Sequence, residues 1–245
     1  MVDKDHRELI GIIQRELESK ADYQYLKSST RFFKKEDLKE VSSMSHGNRT
    51  PVVRKIAADY YKKIKKFEKL KILNLCEYLL ATNYSEERAI AFDWAFRLKN
   101  RLDKEEFWRF ERWLMHYVHH WGSCDDLCTH AFGYLLYKHP ELIGNTVSWR
   151  NSDNRWFRRA SAVVLIYSTR RKNILKGVFE TCDTLMTDED DLVRKGYGWL
   201  LKETGNKFPD EIFDYVMRNR CKMPRVSLRY AIEKYPEEKR RKAMA

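Results

Sequence analysis

An internal repeat is the feature of this sequence that most restricts its fold. Residues 157–165 (FRRASAVVL) match residues 193–201 (VRKGYGWLL) at a shift of 36 positions, and residues 226–234 (VSLRYAIEK) follow at a further shift of 33. Periods of this length are typical of helix pairs that cannot bury their apolar faces alone and therefore stack on one another. The repeat predicts an all-α, HEAT-like helical-repeat solenoid in which antiparallel helix pairs form a concave groove.

Helical periodicity also runs through the rest of the chain. Apolar residues recur at helical spacing, for example at Leu9, Ile12, Ile13 and Leu17. The 245 residues include only 9 glycines and 5 prolines, and no Asn-Gly or Asp-Gly pair signals a β-hairpin. Since no stretch resembles a long linker, we expect residues 1–245 to form a single helical-repeat domain.

The balance of charge favours a polyanionic partner. The formal net charge is +12, from 48 lysines and arginines against 36 aspartates and glutamates. Each repeat opens with a basic turn, and stacking would align these turns along the groove as a positive stripe. The candidate DNA-binding residues are Arg155, Arg158, Arg159, Arg194, Lys195, Arg225 and Arg229. Nucleic acid leads over an anionic membrane surface, because these residues are spread over repeats and do not lie on one amphipathic helix. A basic surface that serves only solubility stays open.

Other features of the sequence bear on the compartment. The first twenty residues are charged throughout, unlike a signal peptide, and the longest apolar run, residues 160–167, is too short to span a bilayer. Five cysteines, an odd number, are scattered along the chain, which favours reduced thiols. We expect a cytoplasmic monomer that does not bind membranes and that associates with the nucleoid when it is bound to DNA.

The tryptophan and the aspartate in the element Trp121-Gly-Ser-Cys-Asp125 are candidates for chemistry. They are four residues apart, so a helix beginning near Gly122 would place them on about the same face. A carboxylate beside an indole face can stabilise a developing cation. For this pair taken alone the structural alternative is favoured: Asp125 caps a helix and Trp121 packs in the core or an interface.

Two later helices carry further candidates. Arg159 lies in a basic cluster interleaved with aromatics, and a guanidinium suits a phosphate. Trp199 follows Gly196 and Gly198 in a helical repeat segment, where each glycine costs about 1 kcal/mol relative to alanine. Close approach of a neighbouring helix or passage of a DNA backbone over the small residues could offset that cost, and both explanations stay open.

A metal site is the main competing chemistry near Trp121. Six potential ligands crowd into fifteen residues: His116, His119, His120, Cys124, Cys128 and His130. No Cys-x2-Cys or His-Glu-x-x-His arrangement occurs among them, and we expect Trp121-Gly122-Ser123 to interrupt the helix. The sequence therefore favours a protein without metal or cofactor.

Four segments of the chain resemble the AlkD-like family of helical-repeat DNA glycosylases. They are HHWGSCDDLC (119–128), RWFRRASAVV (155–164), VRKGYGWLLKE (193–203) and VSLRYAIEKYP (226–236). Matched residue by residue, the resemblance implies that Trp121, Asp125 and Trp199 form the excision site and that Arg159 holds the adjacent phosphate. It also implies a monofunctional glycosylase that removes cationic N3- and N7-alkylpurines, such as 3-methyladenine and 7-methylguanine, from double-stranded DNA.

The chain departs from the family pattern at several positions. His46, Gly47 and Asn48 stand before the Thr50-Pro51 segment, where the family often has an aromatic, a glycine and an aliphatic residue. Gly122 replaces an acid found in many relatives, and Asp126 adds a second carboxylate beside Asp125. Asp125 is preferred over Asp126 on its spacing from Trp121, and the segment 28–50 is a candidate functional loop. The alternative function is a non-catalytic HEAT-repeat module that binds nucleic acid or protein.

Overall fold

The computed structural model describes residues 4–29, 44–172 and 174–245, and their regular structure is helical with no strand. The α-helices are α1 (Lys4–Ser19), α2 (Tyr23–Ser29), α3 (Thr50–Ile64), α4 (Lys69–Ala81), α5 (Ser85–Arg97), α6 (Glu106–Tyr117), α7 (Trp121–Thr129), α8 (Ala131–Lys138), α9 (Arg155–Val163), α10 (Ile166–Thr169), α11 (Leu175–Leu185), α12 (Asp191–Gly205), α13 (Pro209–Asn219), α14 (Arg225–Ile232) and α15 (Glu237–Met244). Two 3-10 segments, Lys99–Arg101 and Pro140–Asn151, join them. Most of the predicted loop at 28–50 lies outside the described residues.

The described residues form two compact units. Unit 1 comprises the residues up to Asp103 together with His116–Asp126, and unit 2 comprises Lys104–Met115 together with the residues from Leu127 onward. Helix α7 therefore contributes Trp121–Asp126 to unit 1 and its last three residues to unit 2. The expectation of a single domain over residues 1–245 stays a prediction.

Unit 1 is built on the packing of α5 against α3 and α4, with α1 against both α3 and α4. Pro51 occupies the first turn of α3. A backbone N–H at this position would have no helical acceptor, so the lack of an N–H in proline costs no hydrogen bond there. The indole of Trp94 in α5 is fully buried and donates from Nε1 to the carbonyl of Ala57 at 2.9 Å. This bond satisfies the one polar atom of a large core side chain and joins α5 to α3.

Unit 2 contains the predicted repeat, in which α12 packs between α9 and α14. The same capping contact recurs 36 residues apart: the side chain of Asn154 accepts from the N–H of Trp156 at 2.8 Å, and that of Asp190 accepts from Leu192 at 2.7 Å. Ser227 then joins α14 to α12 by donating to the carbonyl of Arg194 at 2.9 Å. The prediction of an all-helical repeat fold is confirmed for the described residues.

Close helix packing accounts for Gly196 and Gly198 of α12. A Cβ at Gly198 would lie 2.8 Å from the carbonyl oxygen of Ser227 and 2.8 Å from the Cβ of Tyr230. A Cβ at Gly196 would lie 3.3 Å from the Cγ of Arg159. Approach of a neighbouring helix is therefore sufficient to explain these two glycines, and passage of a DNA backbone over them stays a prediction. Among the described helices, none is both long and apolar enough to cross a membrane.

Candidate active site

Helix α7 carries the first pair of candidate residues. It begins at Trp121, one residue before the expected start, so Asp125 lies in its second turn. The spacing of four residues places the two side chains on one helix face, as predicted. Trp121 is 38% exposed and Asp125 is partly exposed, so neither belongs to the closed core. The interruption predicted at Trp121-Gly122-Ser123 is wrong, because the break between α6 and α7 falls earlier, at residues 118–120.

An imidazole caps the start of α7. The Nδ1 atom of His120 accepts from the backbone N–H of Ser123 at 3.2 Å, and the Ser123 hydroxyl donates to the His120 carbonyl at 2.9 Å. This satisfies one of the N–H groups that a helix start leaves without a helical acceptor. Gly122 allows the arrangement, since a Cβ there would lie 3.1 Å from Nδ1. The departure at Gly122 is thus coupled to the use of His120 as the cap.

To accept this hydrogen bond, Nδ1 of His120 must carry no proton, and the surroundings of the ring favour that state. Burial, then the positive charge of Arg88 and then His119, lowers the pKa of His120 to about 3. Arg88 is itself 1% exposed and donates from Nη2 to the Asn83 side chain at 3.2 Å. Burial lowers the pKa of Arg88 to about 10, which leaves it charged near neutrality. Burial of the ring and the positive charge of Arg88 therefore both disfavour protonation of the cap.

The second carboxylate of α7, Asp126, is held by contacts within unit 1. Asp126 accepts from Nη2 of Arg54 at 2.8 Å, and Nη1 of the same guanidinium pairs with Asp93 at 3.2 Å. Arg54 thus ties α7 to α3 and α5, and the negative charges of Asp126 and Asp93 raise its pKa against the effect of burial. Asp126 therefore has a structural role, and the choice of Asp125 as the catalytic carboxylate stays a prediction.

The departure at His46, Gly47 and Asn48 also has a structural basis. The backbone N–H groups of these three residues all donate to the carboxylate of Glu86, at 3.2, 2.9 and 3.1 Å. Gly47 has a φ of +85°, and a Cβ there would lie 2.9 Å from the carbonyl oxygen of Asp22. The His46 ring stacks on Tyr84 with centroids 4.1 Å apart. This turn is accordingly held by its own buried contacts within unit 1.

Arg159 lies in α9 and is 5% exposed. Its Nη1 donates to the carbonyl of Leu192 at the start of α12, and its side chain passes over Gly196. Arg159 therefore has a role in packing successive repeats. Its binding of a phosphate stays a prediction.

Most of the other predicted DNA-binding residues also have partners within unit 2. Arg155 pairs with Asp190 at 2.5 Å, Arg158 with Asp188 at 2.6 Å, and Arg194 donates to the Asp188 carbonyl at 2.6 Å. The acidic turn at residues 188–191, whose pairing with these arginines was not predicted from the sequence, offsets positive charge between two repeats. The remaining predicted residues are Lys195, Arg225 and Arg229. Arg225 and Arg229 are exposed. Arg225 donates to the Met244 carbonyl at 3.1 Å.

Trp199 lies in α12 with its indole partly exposed. Its Nε1 donates to Oε1 of Glu203 at 3.1 Å. Oε2 of Glu203 is bound by Arg170, whose Nε and Nη2 lie 3.0 and 2.9 Å away. Burial raises the pKa of the Glu203 carboxyl, but the Trp199 hydrogen bond and Arg170 outweigh it and leave that pKa below its usual value.

The four central candidates therefore divide between the units. Trp121 and Asp125 belong to unit 1, and Arg159 and Trp199 belong to unit 2. Within the described residues, no group of three or more His, Cys, Asp or Glu side chains is arranged to hold a metal ion. The absence of a metal from the working protein stays a prediction.

Sequence reasoning missed three supporting residues: His120, Arg54 and Glu203. His120 was considered only as a metal ligand. Glu203 had a usable signal, because it lies four residues after Trp199 in a predicted helix and could meet it on one face. Arg54 had none, since its partner Asp126 is 72 residues away.

Comparisons with known proteins found one matching family and a solved structure with a similar fold. A family model described as DNA alkylation repair enzyme matches residues 13–235. Among solved structures, the "Predicted DNA alkylation repair enzyme from Enterococcus faecalis" aligns with a TM-score of 0.76 over 89% of this chain and 98% of that chain, at 16% identity. That likeness supports the fold alone, and no curated protein matches the chain. Because the family model covers most of the sequence, the protein belongs to the DNA alkylation repair enzyme family.

Proposed function

We propose that this chain is an AlkD-like, monofunctional DNA glycosylase that hydrolyses the N-glycosidic bond of cationic N3- and N7-alkylpurines in duplex DNA. The observation that carries the proposal is the placement of the Asp125 carboxylate one helical turn from the exposed indole of Trp121 on α7. The neighbouring carboxylate, Asp126, pairs with Arg54. Family membership supplies the DNA-repair context.

Excision needs little catalytic assistance with the leaving group, because the alkylated base is already cationic. The alkylated base leaves with the electron pair of the glycosidic bond and becomes neutral, so it needs no general acid. Positive charge then develops on the sugar, where the Asp125 carboxylate and the indole faces of Trp121 and Trp199 would stabilise it. Water adds to the anomeric carbon and releases a proton to Asp125 or to solvent. Arg159 would hold the adjacent phosphate, and neither metal nor cofactor takes part.

The test is the release of 7-methylguanine and 3-methyladenine from alkylated duplex DNA under single-turnover conditions. We expect release by the wild type and a rate at least about 100-fold lower for Asp125→Asn, since loss of one preorganised electrostatic group costs a factor of about 10²–10³. Asp126→Asn is the matched control, with the same change at the adjacent residue, and should stay within about tenfold of the wild type.

The binding-module alternative makes a different prediction for the same assay. It would be favoured if the wild-type protein bound duplex DNA and released no alkylated base. Equal rates for Asp125→Asn and the wild type would instead remove Asp125 from the proposed mechanism.

A further inference from the structure

The indole of Trp199 is held at its only polar atom. Nε1 donates to Glu203 at 3.1 Å, one helical turn further along α12. An indole side chain turns about two torsion angles, and a hydrogen bond at Nε1 restricts both. The bond therefore selects one orientation of an aromatic face that is partly open to solvent.

Glu203 is fixed from a different helix. Arg170, directly after α10, binds Oε2 through Nε at 3.0 Å and Nη2 at 2.9 Å. The side chain of Asn206 also donates to Oε2, at 3.4 Å, so Oε1 is the oxygen that accepts from Trp199. Glu203 is 9% exposed, and next to it the hydroxyls of Thr169 and Thr204 are 2.9 Å apart. The same two helices are thus joined twice, and the acceptor of the indole N–H cannot easily rotate away.

We propose that Glu203, held by Arg170, is a positioning residue that sets the orientation of the Trp199 indole for base excision. The proposal rests on the proposed function, in which this indole face flanks the sugar as positive charge develops. Such a contact is strongest with the cation over the ring face, so rotation of the indole would weaken the stabilisation of the transition state. Glu203 itself touches neither base nor sugar in this scheme.

One test needs no DNA. The indole N–H of Trp199 can be followed by ¹H–¹⁵N NMR and assigned by its loss in Trp199→Phe. We expect this resonance to shift in Glu203→Leu and to stay near its wild-type position in Glu203→Gln, whose amide oxygen still accepts. Glu233→Leu is the matched control, because that carboxylate pairs with Lys202 at 3.1 Å in the same unit. A resonance that Glu203→Leu leaves unmoved would overturn the proposal.

The second test measures excision. We expect Glu203→Leu to lower the single-turnover rate about tenfold, with DNA affinity within about twofold, since misplacing a group by about 1 Å can cost a factor of up to about 10². Glu203→Gln should restore most of the rate, and Glu233→Leu should match the wild type. In the Trp199→Phe background, Glu203→Leu should have no further effect, because the two residues would act as one unit.

The outcomes separate this proposal from the proposed function. Additive effects of Glu203→Leu and Trp199→Phe, or no rescue by glutamine, would overturn the positioning role while excision by the wild type stands. An inactive wild type would overturn the role in catalysis together with the proposed function, and the NMR result would still establish whether Glu203 orients the indole.

Discussion

The two units hold their candidate residues by different means. In unit 1, contacts that occur once position Trp121 and Asp125: the His120 cap and the ion pair of Arg54 with Asp126. In unit 2, packing that recurs along the repeats places the helices of Arg159 and Trp199: α12 packs against both α9 and α14, and α9 and α12 begin with the same kind of side-chain cap. Repeated packing is visible as sequence self-similarity, whereas a polar contact made once leaves no such pattern.

The largest effect should come from the repeated packing in unit 2. Gly198→Ala places a Cβ 2.8 Å from the Ser227 carbonyl, and backbone atoms there cannot rotate away. Overpacking costs up to about 3 kcal/mol, and the better helix propensity of alanine offsets about 1 kcal/mol, so we expect a free energy of unfolding lower by about 2 kcal/mol. Urea denaturation measures this change.

Gly177→Ala is the matched control for Gly198→Ala. Gly177 lies in α11, and a Cβ there would have open space around it. We expect this variant to be as stable as the wild type or more stable by up to about 1 kcal/mol. If Gly198→Ala were as stable as Gly177→Ala, close packing would not be what holds α12 against α14.

The next effect tests the polar contacts of unit 1. The pKa of His120 is about 3 in the folded protein, below the ordinary 6.5, so between these values the unfolded chain binds more protons. The free energy of unfolding should therefore fall as the pH falls through this window and should not depend on His120 above it. One group contributes at most about 1.4 kcal/mol for each pH unit, and we expect about 1 kcal/mol between pH 6.5 and 5, because His120 is only partly shielded from solvent.

Urea titrations at several pH values would isolate the cap. Asparagine is a good helix cap and does not titrate, so His120→Asn should flatten the pH dependence. His116→Asn, an exposed histidine at the end of α6, should leave it unchanged. An equal pH dependence in the wild type and His120→Asn would show that another group is responsible.

The smallest effect concerns the basic residues of unit 2. Arg229 is exposed, so Arg229→Ala should weaken DNA binding a few-fold and reduce the slope of log K against log salt by about 0.9, with unchanged stability. Arg159→Ala should flatten the slope similarly and also lower stability, because Arg159 is buried against α12. Fluorescence anisotropy over a range of salt concentrations measures both slopes. An unchanged slope would remove the residue concerned from the DNA path.

The sequence predicted elements and faces better than side-chain partners. The repeat of α9, α12 and α14 and the shared face of Trp121 and Asp125 both follow from local spacing, which a helix converts directly into geometry. The start of α7 was misplaced by one residue because His120 is an unusual cap, and its capping role depends on burial beside Arg88. The acidic turn at residues 188–191 was overlooked, since charge counted over the whole chain hides pairing between adjacent turns.

Periodicity and repeat length in the amino-acid sequence were sufficient to establish a helical-repeat fold and to place Asp125 one turn from Trp121. They also placed Arg159 and Trp199 on successive repeats. Only the folded chain shows the partners of individual polar groups. Asp126 pairs with Arg54, the indole N–H of Trp199 donates to Glu203, and the guanidinium of Arg159 donates to the Leu192 carbonyl. Helical spacing relates residues only a few positions apart, so the local sequence is sufficient to predict it. A hydrogen bond between distant residues depends on which helices pack together and on how much water the packing excludes.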